Sequence, residues 1–345
     1  MGKRLTIREV AEHSGLSKTT VGYVLSGRAD VAIPDITRAR VFQAAKELGY
    51  RRNRIARSFA TGKSQNVGVV VSYQGYVNGY QDAFVSRVLY GLQESCAGNQ
   101  YGVLITAARD ATDTAEEQVN ALLEQKVAAL VIVGRLPGVS DGSLLQEIFS
   151  EHVPCVAVDD RSMAGIVDCI ITDDKMGAST AVRHLISRGR CRIAHLAAGT
   201  STTTAQDRRA GYLTALAEAG INFDDNLTET GSFSPKEAIL AASRLLSLPS
   251  PPDAVFADSD YLATAVLQAA SRRGLRVPDD VALVGYGNLE VAEWLDVTTI
   301  KQNPEEMGRR AAAIVHERIG ASGYKPAMTV LPTELIVRGS CGRPI

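Results

Sequence analysis

The chain has 345 residues, 45% hydrophobic and 22% charged, with a net charge of −1. That length exceeds one ordinary core and calls for two or three domains. No run of about 18 apolar residues occurs, which argues against a membrane span, and no apolar stretch follows the basic residues of MGKRLTIREV, which argues against a secretory signal. The five cysteines, Cys96, Cys155, Cys169, Cys191 and Cys341, are odd in number and show no CxxC or Cys/His ligand spacing. They read as free thiols in the reducing cytoplasm, with no metal. Charge is unevenly placed. Residues 1–63 hold thirteen Lys and Arg against five Asp and Glu, and the remainder holds twenty-four against thirty-three, so +8 sits on the head and −9 on the body. A basic head on an acidic body points to a polyanion met by the head alone.

Three short helices are expected first. One runs from about Thr6 to His13, capped by Thr6 with Glu9 three residues on, and with Ile7, Val10 and Ala11 as its apolar stripe. Gly15 permits a tight turn and Leu16 plugs the core beneath it. The second helix starts at the cap Ser17 and reaches Leu25, turning Val21, Val24 and Leu25 inward. The third runs from Asp35 or Thr37 to Leu48, buries Val41, Ala44, Ala45 and Leu48, and ends at Gly49. The basic segment RRNRIARSFATGKSQN reads as a linker with a short helix at about 54–60.

From residue 67 short β-branched runs alternate with amphipathic segments. Strands are expected at Val67–Val71, Tyr101–Thr106, Ala129–Gly134, Cys155–Val158, Arg192–Ala197, Ala254–Ala257, Val281–Val284 and Val297–Ile300. Helices are expected at Phe84–Gly98, Thr114–Gln125, Gly142–Glu151, Met176–Ser187, Arg208–Ala219, Pro235–Leu246, Asp260–Arg273 and Pro304–Ile319. Such alternation gives parallel sheets covered on both faces. The segment is large for one sheet, so two lobes with a cleft between them are expected.

The first pair of helices has the proportions of a helix-turn-helix, whose second helix enters the major groove and reads base edges with its first residues. Those residues are Ser17, Lys18, Thr19 and Thr20, with Tyr23 one turn on. Lys18 can donate to guanine or to phosphate. The threonines can hydrogen-bond or touch a thymine methyl, and Tyr23 can pack on a base or bond a phosphate.

The segments TIREVAEHSGLSKTTVGYVLSG, TRARVFQAAKELGYRRNRIARSFATGKSQNVGVVV, QDRRAGYLTALAEAGI and PDAVFADSDYLATAVLQAASRRGLRVPDDVALVGYGN resemble, in register, the lactose-repressor/galactose-repressor family of bacterial transcriptional regulators. The resemblance covers nearly the whole chain. It implies an all-α helix-turn-helix headpiece over residues 1–50 and a hinge helix and linker over 51–64. It also implies an α/β two-lobed, type I periplasmic-binding-protein-like effector domain of Rossmann-like parallel sheets over 65–345. The chain would cross between lobes near 159–163 and 287–303. The implied function is a ligand-responsive repressor that binds a palindromic operator in double-stranded DNA as a homodimer, without cofactor. The implied DNA-binding set is Thr6, Ser17, Lys18, Thr19, Thr20, Tyr23 and Ser26 of the head and Arg54, Ala56, Arg57 and Phe59 of the hinge. Phe59 replaces the family's leucine as the minor-groove wedge, or else packs on the body. Arg52 replaces a proline, and Gly22-Tyr23 replaces Ser-Arg.

For the effector, the resemblance nominates Tyr73, Phe84, Asp159, Thr202, Thr204, Arg208, Phe233, Asp260 and Asn288, a set suited to a sugar or a nucleobase-like metabolite. Gly287 stands where the family carries an effector-binding Asp. The loop after the first strand is longer than usual and carries Tyr73, Tyr76 and Tyr80. Trp294 is either a wall of the cleft or a buried structural residue. With no leucine heptad at the end of the sequence, a dimer is expected and not a tetramer. Two other readings compete. A solute-binding protein shares the body but not the basic head, and a nucleotide-dependent enzyme would need a GxGxxG after a strand, where only GYG at 285–287 occurs.

Overall fold

In the head, Thr6 lies in extended backbone and the Glu9 carboxylate accepts from its N–H, which starts α1 (Ile7–Ser14). Gly15 adopts the left-handed conformation at φ 64° and stops it. Ser17 then caps α2 (Lys18–Ser26), its hydroxyl accepting from Thr20 N–H at 3.0 Å, and α3 (Asp35–Glu47) follows. Val10, Ala11, Val21, Val24, Val41, Ala44 and Ala45 form the buried core, with Ile7, Leu16, Leu25 and Leu48 around it. The molecule is a computed structural model that describes residues 5–26, 31–50, 64–71, 83–107, 115–135, 148, 153–199, 202–232, 234–321 and 323–342. The expected hinge helix, Tyr73, Tyr76, Tyr80, Phe233 and nearly all of the helix expected at Gly142–Glu151 lie outside them. The chain divides into two units, Met1–Lys63 and Ser64–Ile345.

The second unit holds two six-stranded sheets. Sheet one contains β1 (Asn66–Val71), β2 (Gly102–Ala107), β3 (Ala129–Val133), β4 (Cys155–Val158), β5 (Asp168–Thr172) and β11 (Met328–Leu331), in the order β11-β5-β4-β3-β1-β2, all parallel. Side chains alternate across it. Val67, Val69 and Val71 face α4 (Ala83–Gly98) and α11 (Pro304–Arg318), and Val70 faces the side of α5 (Ala115–Glu124).

Sheet two contains β6 (Ile193–Ala197), β7 (Thr228–Thr230), β8 (Ala254–Ala257), β9 (Ala282–Gly287), β10 (Thr298–Lys301) and β12 (Glu334–Ile336), in the order β12-β10-β9-β8-β6-β7. All pairings are parallel except β10 with β12. One face packs on α6 (Asp174–Ser187) and α7 (Thr203–Glu218), the other on α8 (Pro235–Leu245), α9 (Asp260–Arg272) and the short α10 (Glu290–Trp294).

Each sheet with its helices is a lobe, and the chain passes between them three times: from β5 to α6 at Asp173, from β10 to α11 at Gln302–Asn303, and from β11 to β12 at Pro332–Thr333. Gln302 Nε2 donates to Thr172 Oγ1 at 3.3 Å, tying two of the crossings together. The first crossing lies later than the expected 159–163, because that loop stays in lobe one, where Met163 is buried in the core beside β5. The sequence pattern hides β5 because a charged residue opens it. Asp168 is buried, accepting from Arg318 Nε at 3.1 Å and from Ala327 N–H at 2.9 Å. Among the described residues, no helix is long and apolar enough to cross a membrane.

Candidate functional site

Two regions carry chemistry, and each is built by its own unit. In the head, the first turn of α2 projects from a closed apolar core. Ser17, Lys18 and Thr19 are exposed, Thr20 and Tyr23 are half-buried, and Thr6 is exposed at the start of α1. Ser17 and Thr20 hydroxyls share a hydrogen bond of 2.8 Å, which fixes the turn that carries Lys18. The first-turn residues of this helix are therefore on hand for a ligand rather than spent in packing. Ser26 ends α2. The hinge residues Arg54, Ala56, Arg57 and Phe59 fall outside the described residues.

In the body, the candidate cleft lies at the carboxyl ends of the strands, where loops from both lobes meet. Arg208 is its charged centre on lobe two. It lies on α7, which begins at Thr203, earlier than the Arg208 start read from the sequence, because Thr202 caps it by accepting from Ala205 N–H at 3.1 Å. Arg208 Nε donates to Asp174 Oδ1 at 2.9 Å, Nη1 donates to the Asp258 carbonyl at 2.6 Å, and the guanidinium lies 3.9 Å over the Tyr286 ring. Burial pushes the Asp174 carboxyl up while Arg208 pulls it back. Burial also works against the Arg208 charge, but Asp174 and its neighbours hold the guanidinium well above its ordinary range. Burial raises the Tyr286 hydroxyl too, and the Asp174 charge adds to it. The result is a guanidinium held in place by two hydrogen bonds and a ring, and kept in its charged form.

The other nominated residues separate into groups. Asp159, at φ 64° after β4, and Thr204 come from opposite lobes and touch: the Thr204 hydroxyl donates to the Asp159 carbonyl at 3.2 Å. Asn288, at φ 54°, accepts on Oδ1 from Arg338 Nη2 at 2.8 Å. Phe84 is half-buried against the core of lobe one. Asp260 does not serve the cleft in this arrangement. It is buried, and its carboxylate accepts from Thr299 Oγ1 at 2.6 Å and Leu289 N–H at 2.7 Å, which fixes the loop after β9. Gly287 in that loop has φ 124°. A side chain there is strained, so the missing Asp cannot be restored without moving the backbone. Trp294 is neither buried nor a wall; it is 80% exposed at the end of α10.

Sequence reasoning missed Asp160, Arg161, Asp174, Thr203, Asp207, Asp258 and Tyr286. Asp207 was visible as the acidic neighbour of Arg208. The others depend on contacts between distant elements. His195 Nε2 meets Asp258 Oδ1 at 2.7 Å in the core, the imidazole stacked between Tyr212 and Phe256, so the residue that follows β8 and holds Arg208 through its carbonyl is itself anchored.

Two family models match. Residues 6–53 match the bacterial regulatory proteins of the lacI family, and residues 182–341 match a periplasmic binding protein-like domain. A structure described as the transcriptional regulator CelR-cellobiose complex is 30% identical, with a TM-score of 0.72, over 98% of this chain and 100% of the other. The chain belongs to the lacI family. The HTH-type transcriptional repressor PurR of Mannheimia succiniciproducens is 28% identical over 337 residues, 97% of this chain and 98% of the relative. The lac repressor dimer bound to operator and the anti-inducer ONPF superposes with a TM-score of 0.87 at 25% identity, over 99% of this chain and 100% of that one. Membership makes this chain a transcriptional regulator and removes the enzyme reading.

Proposed function

We propose that this lacI-family chain is a repressor that binds a palindromic operator as a homodimer, with DNA affinity set by a small metabolite between its lobes. The observation that carries the DNA half is the exposed, hydroxyl- and lysine-bearing first turn of α2 standing on a complete three-helix core. Lys18, Thr19, Thr20 and Tyr23 read the major groove, with Thr6, Ser17 and Ser26 beside them. Arg54, Ala56, Arg57 and Phe59 act from the minor groove. Relatives of similar length include a dimer on operator DNA and a complex with cellobiose, which supports extending both partners to this chain.

Arg208 is the anchor of the effector. Two of its donors are taken by Asp174 and the Asp258 carbonyl, which leaves the others for the ligand, and Asp159, Thr202, Thr204, Asn288, Phe84, Tyr73 and Phe233 are assigned to the same ligand. With its charge already matched by Asp174, this anchor suits a neutral, hydroxyl- or ring-bearing molecule such as a sugar or nucleobase. For the dimer, Trp294, Leu295 and Tyr261 are exposed on the packed helices α9 and α10 and give an apolar face for a second copy.

Selection of fragments from random genomic DNA by the purified protein tests this reading. The expected outcome is enrichment of one palindrome, with binding that weakens steeply with salt. Lys18→Ala should reduce affinity for that palindrome by about 1–3 kcal/mol and relax its base preference. Equal recovery of all fragments by both proteins would overturn the proposal.

A further inference from the structure

Away from the three crossings, a second set of contacts joins the lobes. Lobe one contributes the loop after β4, residues 159–162, and lobe two contributes the first turns of α7. Arg161 makes a two-pronged bridge to Asp207, Nε to Oδ2 at 2.8 Å and Nη2 to Oδ1 at 2.6 Å. The Thr203 hydroxyl donates to Asp160 Oδ1 at 2.9 Å and accepts from Arg161 N–H at 3.2 Å. Thr204 adds its bond to the Asp159 carbonyl. Asp160, which also accepts from Ser162, is only 1% exposed. Its carboxylate therefore sits buried at the amino end of a 16-residue helix belonging to the other lobe.

Neither lobe needs these contacts to form. The loop is held in lobe one by Met163 and Val167 in the core, and α7 is held in lobe two by Tyr212, Ala215 and Leu216. Parting the lobes would break all of them together and return Asp160, Arg161 and Asp207 to water. All are made by protein groups alone, so closure by this route asks nothing of a ligand.

We infer that Asp160 and Arg161, with Thr203 and Asp207, form a latch that closes the cleft independently of any effector. The inference rests on the proposed function only in naming the cleft an effector site. An effector that fits inside the latched cleft meets a state that is already populated, whereas a bulkier one must first break the ion pair. The latch thus sets both the size of molecule the cleft accepts and the resting position of the lobes. Asp207 is also the residue beside Arg208, which places the latch one residue from the effector anchor.

The experiment measures lobe separation directly, with neither DNA nor effector added. Spin labels are placed at Glu116 at the start of α5 and at Lys236 at the start of α8, both exposed and each following the strand farthest from the crossings. The exposed Cys191 is replaced by Ser, and labelled protein is diluted with unlabelled. The parent should give one short distance. Arg161→Asp and Asp207→Arg should each populate a longer one, and the swapped pair in one chain should restore the short one. The milder Arg161→Gln should lower the closed-to-open ratio by about threefold to tenfold, as expected of a half-buried, bidentate pair; it also serves if a charge reversal does not fold. Distance distributions for Arg161→Gln and the reversals that match the parent would overturn the latch. Since the readout uses no ligand, it stands or falls separately from the effector assignment.

Discussion

A Cβ added at Gly22 would meet nothing closer than Ile7 Cδ1, at 3.7 Å, and Gly22 lies within a regular helix. The head itself therefore does not require glycine at this position. Gly22→Ala should stabilise the headpiece by about 1 kcal/mol, read as slower amide exchange in α2. If the groove demands the missing side chain, DNA affinity falls as stability rises. Loss of head stability in this variant would show that the space beside Gly22 is already filled. Arg208 has the opposite character. Replacing it with Met leaves the Asp174 carboxylate, only 4% exposed at its side chain, buried without its cation. The expected cost is about 3–5 kcal/mol, seen as a lower melting temperature of the body and largely recovered by adding Asp174→Asn. Unchanged melting in Arg208→Met would refute the pairing. Residues such as Val10, Val21 and Val41 were legible in the sequence because helical spacing alone turns them inward. Asp174 and Tyr286 were not, since nothing local marks a side chain that becomes functional only beneath an arginine from another helix.

Between elements, α4 and α11 approach closely enough to demand two glycines. A Cβ on Gly91 would lie 2.0 Å from the Glu305 carbonyl oxygen, and one on Gly308 would lie 2.0 Å from that of Val88. Since the obstacles are backbone atoms, Gly308→Ala should destabilise lobe one by about 1–3 kcal/mol or more despite alanine's better helix propensity. Denaturant unfolding followed by circular dichroism checks this, and a neutral result would mean that the helices can slide apart freely. The eight strands read from the sequence are all present, because each is a short run rich in apolar or β-branched residues and of strand length. Four were missed: β5 opens on a buried aspartate, β7 and β12 have three residues each, and β11 is an exposed edge. The start of α7 was missed for another reason. Its cap and first two residues, Thr202, Thr203 and Thr204, are all threonine, which reads as loop until the Thr202 cap is seen.

At the scale of the molecule, the charge division and the buried thiols follow from the same architecture. Cys96, Cys155, Cys169 and Cys341 are buried, whereas Cys191 is exposed. Burial raises the Cys155 thiol to about 12 and those of Cys96 and Cys169 to about 11. Thiolate is the reactive form, so a disulfide reagent at neutral pH should modify one cysteine in the native protein and all five after unfolding. Rapid modification of more than one in the native state would show that the lobes open far more than their packing allows. The basic head and acidic body, legible from composition, match two units with separate cores. The latch was not legible, because its partners lie on different lobes and show no sequence spacing that would pair them.

Under the proposed function, the occupant of the cleft and the operator bind one protein with linked free energies. The direct measurement is affinity for the selected palindrome, by fluorescence anisotropy, with and without a metabolite that raises the melting temperature of the body. The predicted result is a change in DNA affinity of about 5- to 150-fold, matched by an equal change in metabolite affinity when the operator is saturating. Identical DNA affinity in the empty and metabolite-saturated protein would show that the cleft and the DNA-binding head are not linked.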